Sequence, residues 1–177
     1  APIFGSSSGT KDAKPGAADT LASAMQRTIL QLVDEHTLDD GRCDMKALQI
    51  SAEFATFLDL AGSLCSLSVT EQLGPSSSLS ERKAFWINLY NCLVLHSTIV
   101  LGAPTDANER GRYFSGESGA AYDVGGLTFC LDDIEHGVLR ANSPTVGGKT
   151  LFTADDPRLS CVLPELDPRL HFALNCG

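Results

Sequence analysis

From Thr20 onward, apolar residues fall at Leu21, Met25, Ile29, Leu32 and Val33. This is close to the i, i+3/i+4, i+7 spacing of one buried stripe and predicts a helix ending near His36. Residues 41–50 have no clear period. Residues 51–67 predict a second amphipathic helix with Phe54, Phe57, Leu58, Ala61 and Leu64 on one side, and a short helical turn is expected over 69–73. Gly74-Pro75 and three serines break the pattern. Ser78-Leu79-Ser80-Glu81 then has the Ser-x-x-Glu form of a capping box, opening a long helix to Leu101, with Gly102 past its end and Pro104 forbidding extension. That helix carries Phe85, Trp86, Ile87, Leu89, Leu93, Leu95 and Ile99 around most of its circumference, so burial on nearly every side is expected.

Residues 104–121, rich in Gly, Ser, Asn and charge, predict a surface loop. Two β-prone runs flank Gly125-Gly126 and predict a tight hairpin over 122–130. Asp132-Asp133-Ile134-Glu135 repeats the capping logic and starts a helix to about Arg140. Residues 141–166 look irregular. Asp156-Pro157-Arg158-Leu159 recurs as Asp167-Pro168-Arg169-Leu170, too little for a repeat fold; the second copy leads into 169–176, read as a strand entering the core. The elements add up to an α+β fold, a helix-rich single domain with a long buried central helix and a small antiparallel sheet. Its layout invites a remote analogy with papain-like hydrolases, and a fold does not by itself fix a function.

A length of 177 residues suits one domain. Residues 1–19 have almost nothing to bury and predict a flexible tail, leaving 20–177 as the globular part. With 43% hydrophobic and 20% charged residues, a core is affordable. A net charge of −9 without a Lys/Arg cluster argues against nucleic acid as a partner. The greasiest stretch contains Asn88, Asn91 and His96 and falls short of a bilayer span, so no transmembrane segment is expected, while peripheral membrane association stays open. Six cysteines without a Cys-x-x-Cys spacing exclude a zinc ribbon or thioredoxin-like motif. A start at Ala1 rather than methionine suggests processing, with an organelle or export as the setting.

Three blocks carry a resemblance. They are Ala84-Phe85-Trp86-Ile87-Asn88-Leu89-Tyr90-Asn91 with His96; Leu131-Asp132-Asp133-Ile134-Glu135-His136-Gly137-Val138-Leu139-Arg140; and Asp167-Pro168-Arg169-Leu170-His171-Phe172-Ala173-Leu174-Asn175-Cys176-Gly177. In this order they resemble the family catalogued as domain of unknown function 547, found in bacteria, plants and algae, over roughly residues 45–177. The resemblance implies no assigned activity. It implies a domain that continues beyond Gly177, so the chain is expected to lack the C-terminal part, and it makes the chloroplast a candidate compartment.

The chemistry offers one sharp candidate: Cys176 as nucleophile, His136 or His171 as general base, and Glu135 or an asparagine orienting the base. Only a thiolate attacks, and a nearby imidazolium is what lowers a thiol's pKa. On a strand, His171 and Cys176 would face opposite ways. Glu135 and His136, adjacent on a helix, cannot face each other, so Glu135 needs another partner such as Arg140. Asn88, Cys92 and His96 share one stripe of the long helix; with Asn91, Arg140 and Arg169 they are structural or site-lining candidates, and buried amides and imidazoles there require hydrogen bonds. His96, His136 and His171 have no spacing that predicts joint metal coordination, so no metal and no cofactor is assigned. The leading expectation is an accessory or interaction subunit held by protein partners in a larger assembly. The alternative is a cysteine-dependent hydrolase or transferase using Cys176 with a His base.

Overall fold

A computed structural model describes residues 17–144 and 148–175. The first apolar stripe forms α1 (Ala17–Glu35), which buries Ala18, Ala22, Met25, Ile29 and Leu32. Its first turn takes in Ala17 to Asp19, expected in the tail; the remainder of that tail, residues 1–16, lies outside the described residues. The stretch without a clear period contains α2 (Met45–Gln49), capped by the Asp44 side chain, which accepts the Ala47 N–H at 3.1 Å. The helix expected over 51–67 divides into α3 (Ala52–Gly62), capped by Ser51, and a 3-10 turn at Ser63–Ser66. A short α4 (Val69–Gln72) follows.

Helix α5 (Leu79–Leu101) is the long central helix, burying Phe85, Trp86, Leu89, Tyr90, Leu93, His96 and Ile99 among others, and packing against α1 and the segment after the hairpin. Ser78 does not cap it: the hydroxyl lies 2.8 Å from Ser80 Oγ and makes no bond to the helix end. By length and composition α5 passes for a membrane-crossing helix, with a mean hydropathy of 1.4, yet 56% of its most apolar stretch is buried inside the protein. It is the core helix rather than a clear transmembrane segment.

The hairpin is present, with β1 (Ala121–Val124) and β2 (Leu127–Cys130) antiparallel and Tyr122 opposite Phe129. Both turn residues, Gly125 and Gly126, have positive φ of 60° and 85°, the requirement of a two-residue turn matched to strand twist. The Gly125 N–H donates to Leu64 O at 3.0 Å, and a Cβ there would lie 2.5 Å from Leu67 O, so only glycine lets the turn seat against the preceding helices.

The rest departs from local expectation. The stretch 104–121 holds α6 (Ala107–Phe114), capped by Asp106, whose carboxylate accepts the Asn108 and Glu109 N–H groups at 2.8 Å. It buries only Tyr113, and so shows no apolar stripe. The helix expected after the hairpin widens into a π-helix over Asp133–Leu139. Asp132 has helical dihedrals and caps nothing; instead the Asp133 carboxylate reaches back to the Cys130 N–H at 3.0 Å. The expected strand over 169–176 is a 3-10 helix at Pro168–Phe172, because Asp167 caps it and Pro168 fixes its first φ. Asp156 and Pro157 do the same for Pro157–Cys161. The fold is α+β, rich in helix, and one cluster of buried residues runs from Ala18 to Leu174.

Candidate functional site

Successive residues of α5 organise the polar groups. Tyr90, fully buried, donates its hydroxyl to Glu135 Oε2 at 3.1 Å, and Glu135 Oε1 accepts from Arg140 Nε at 3.1 Å and Nη2 at 2.8 Å. A buried carboxylate is thus neutralised by a guanidinium that gives two charge-assisted hydrogen bonds to one of its oxygens, while Tyr90 satisfies the other. Asn91, next along α5, donates Nδ2 to Ala173 O at 3.0 Å and accepts the Asn175 N–H on Oδ1 at 2.9 Å. Its amide replaces a missing strand partner for the segment just before Cys176. Cys176 itself lies outside the described residues.

The remaining candidates are dispersed. His136 is exposed on the π-helix; burial raises the carboxyl of the nearby Asp132. His171 is exposed on the Pro168–Phe172 turn, packed on the Phe172 ring at 5.7 Å. Asn88 donates to Ser23 Oγ at 3.3 Å, tying α5 to α1. His96 is fully buried between the edges of Phe54 and Phe57, with Nδ1 3.0 Å from the Tyr122 hydroxyl, and burial depresses its pKa to about 3. A neutral imidazole suits a core network. Arg169 is exposed and paired with Asp167. The fold therefore joins Glu135 with Arg140, and Asn91 with residues 173–175, while His96 is engaged with β1.

Several groups escaped the sequence reading. Tyr90 could not be chosen over other aromatics of α5 without knowing which position faces Glu135. Arg158 joins Asp156 and Asp133 and stacks 4.4 Å over the Phe152 ring; the Asp-Pro-Arg-Leu repetition was its only signal. Arg82, 4% exposed, donates Nη2 to Cys161 O and Val162 O at 3.1 and 2.8 Å. Burial raises the thiols of Cys92 and Cys130 to about 12 and of Cys161 to about 11. Those three are packing residues. Among the described residues no group of three His, Cys, Asp or Glu side chains is placed to hold a metal. A cleft of about 380 Å³ is bounded by Ala18, Asp19, Gln72, Ser77, Glu81 and Phe85 and includes none of the candidates.

The family model described as "Protein of unknown function, DUF547" matches residues 76–177, a narrower span than the 45–177 of the resemblance and still more than half of the chain. No curated protein and no solved structure matches the chain. The matched part contains α5, the hairpin, the π-helix and both Asp-Pro-Arg-Leu turns, hence every candidate residue above. The chain belongs to the DUF547 family, for which no activity is assigned.

Proposed function

We propose that this chain is an accessory or interaction subunit of a larger protein assembly. The observation that carries this reading is Phe172, a residue 90% exposed on a turn that is otherwise anchored. Leu170 beside it is 5% exposed, and Asp167 at its start is bonded to Lys83 of α5 at 3.1 Å. A large aromatic held in water by a fixed backbone is the arrangement expected of an anchor for another surface. The raised thiols at Cys92, Cys130 and Cys161 fit packing rather than chemistry. Sedimentation of the native protein in a fresh extract of its own cells tests the reading. Migration in a particle several times the mass of the native polypeptide is expected, and migration as a single polypeptide overturns it.

A second reading, a cysteine-dependent hydrolase or transferase with Cys176 as nucleophile and His136 or His171 as base, is favoured by one observation. Asn91 holds the backbone directly before Cys176, and its neighbour Tyr90 holds Glu135. Iodoacetamide labelling of Cys176 across pH, in the native chain and in His136→Ala and His171→Ala, tests it. Labelling below pH 7 that weakens without one imidazole is the expected sign of a supported thiolate; a thiol inert until unfolding overturns it.

A further inference from the structure

Two buried N–H donors of α5 have no acceptor among the described residues: Nε of Arg82 and Nε1 of Trp86. Arg82 is 4% exposed and Trp86 is fully buried. Buried donors of a native fold are nearly always paired, because an orphan costs the whole desolvation of its group. The two residues stand one turn apart on α5, where side chains at i and i+4 are neighbours with Cβ atoms about 5–6 Å apart. A long helical side chain also leans over the turn that precedes its own Cα, which carries the Trp86 indole toward Arg82. Phe85 meets the indole edge-to-face at 4.9 Å and Phe129 packs on it at 4.8 Å, so apolar rings flank this donor.

The charge at this place is unbalanced as well. Arg82 gives Nη2 to the Cys161 and Val162 carbonyls, at 3.1 and 2.8 Å, and pairs with no carboxylate among the described residues. Arg140 and Arg158, both less deeply buried, each hold one: Glu135 at 2.8 Å and Asp133 at 3.0 Å. Burial pulls the Arg82 pKa below its usual value, opposed only by the Cys161 thiol. That thiol, raised to about 11, is neutral at pH 7 and supplies no counter-charge. A charge taken out of water is tolerated where it is paired, and two carbonyl dipoles offset it only in part.

We infer that Arg82 and Trp86 form an internal binding site for one small monovalent anion of the size of chloride, held between the Arg82 Nε–H and the Trp86 Nε1–H. A water molecule would accept from both donors and leave the charge uncompensated, whereas an anion answers both needs. Arg82 lies too deep, at 4% exposure, for a carboxylate side chain of another protein to serve instead. Through Nη2 the same guanidinium is tied to the end of the Pro157–Cys161 turn, so a bound anion braces the start of the core helix against that turn. The inference is independent of the interaction reading above.

Trp86 is the one tryptophan of the chain, so indole fluorescence reports on this site alone. The test dialyses the full chain into sodium gluconate and titrates it with sodium bromide at constant ionic strength, since bromide replaces chloride at such donors and quenches an indole it touches. Saturable quenching that chloride reverses is expected, with a urea midpoint that rises with chloride and levels off as one site fills. Trp86→Phe keeps an aromatic ring and removes one donor; Arg82→Lys keeps the charge and removes the other. In each, the chloride needed for half of the rise is expected to increase about tenfold or more, the worth of one hydrogen bond to a charged group, and circular dichroism checks that the helices remain. Should both variants fail to fold, anomalous scattering from native crystals soaked in bromide decides. A bromide peak within hydrogen-bond distance of both donors supports the site, and a water molecule there overturns it. Quenching that is absent or linear in bromide overturns the inference, as does a chloride effect that survives both substitutions. Binding at crystal concentration only, without saturation in solution, overturns it too.

Discussion

His96 shows how a single buried side chain writes a pH dependence into the whole protein. Burial among Phe54, Phe57 and Tyr122 takes its pKa from the usual 6.5 down to about 3. The unfolded chain therefore accepts a proton near pH 6.5 that the native state refuses until about pH 3. Stability is complete above the unfolded value and is lost as pH falls through this window. Urea melts at successive pH values are expected to show a loss of roughly 3–5 kcal/mol, and His96→Gln should flatten that slope. Several carboxyls also shift in this range, and two of them act in opposite directions. Asp167, held low by hydrogen bonds from Arg169 and Lys83, loses its contribution only in stronger acid, whereas Asp132, raised by burial, acts with the opposite sign. The difference between native chain and His96→Gln isolates the imidazole from both. The sequence placed His96 on the apolar long helix and required a hydrogen-bond partner for it; which partner depended on where β1 packs.

At the scale of elements, the ends of helices separate local rules from packing. Ser78-x-x-Glu81 satisfies the capping pattern, yet the Ser78 hydroxyl pairs with Ser80, so Ser78→Ala is expected to change stability by less than about 0.5 kcal/mol in urea denaturation. A true cap would cost about 1 kcal/mol. Gly137 makes the contrasting case. A Cβ at this position of the π-helix would lie 2.2 Å from Phe152 Cζ, so Gly137→Ala must move a buried ring and is expected to cost roughly 1–3 kcal/mol in the same measurement. Nothing local marks Gly137, because Phe152 arrives from a separate segment. The strand expected over 169–176 failed for a local reason: the alternation of His171, Phe172, Ala173 and Leu174 was outweighed by the Asp167-Pro168 start, which fixes a 3-10 turn before any strand partner is met.

For the molecule as a whole, the thiols report the core. With Cys92, Cys130 and Cys161 buried and raised to about 12, 12 and 11, native protein at pH 8 is expected to leave these three unmodified by iodoacetamide, with the partly exposed Cys43 and Cys65 labelled ahead of them. Mass spectrometry of the labelled peptides checks this, and rapid native labelling of the three would contradict the packing described. The sequence by itself determined the α+β class, the long buried helix, the Gly-Gly hairpin and the membership in DUF547, since apolar stripes, turn glycines and ordered motifs act over a few residues and survive in any arrangement of the whole. Only the tertiary structure decided that Tyr90 holds Glu135, that Asn91 holds Ala173 and Asn175, and that one Asp-Pro-Arg-Leu turn pairs its arginine with Asp133 while its twin leaves one exposed. Those pairings join positions far apart in the chain. A buried polar group bonds whichever partner packing brings within about 3 Å, and no local pattern states which partner that will be.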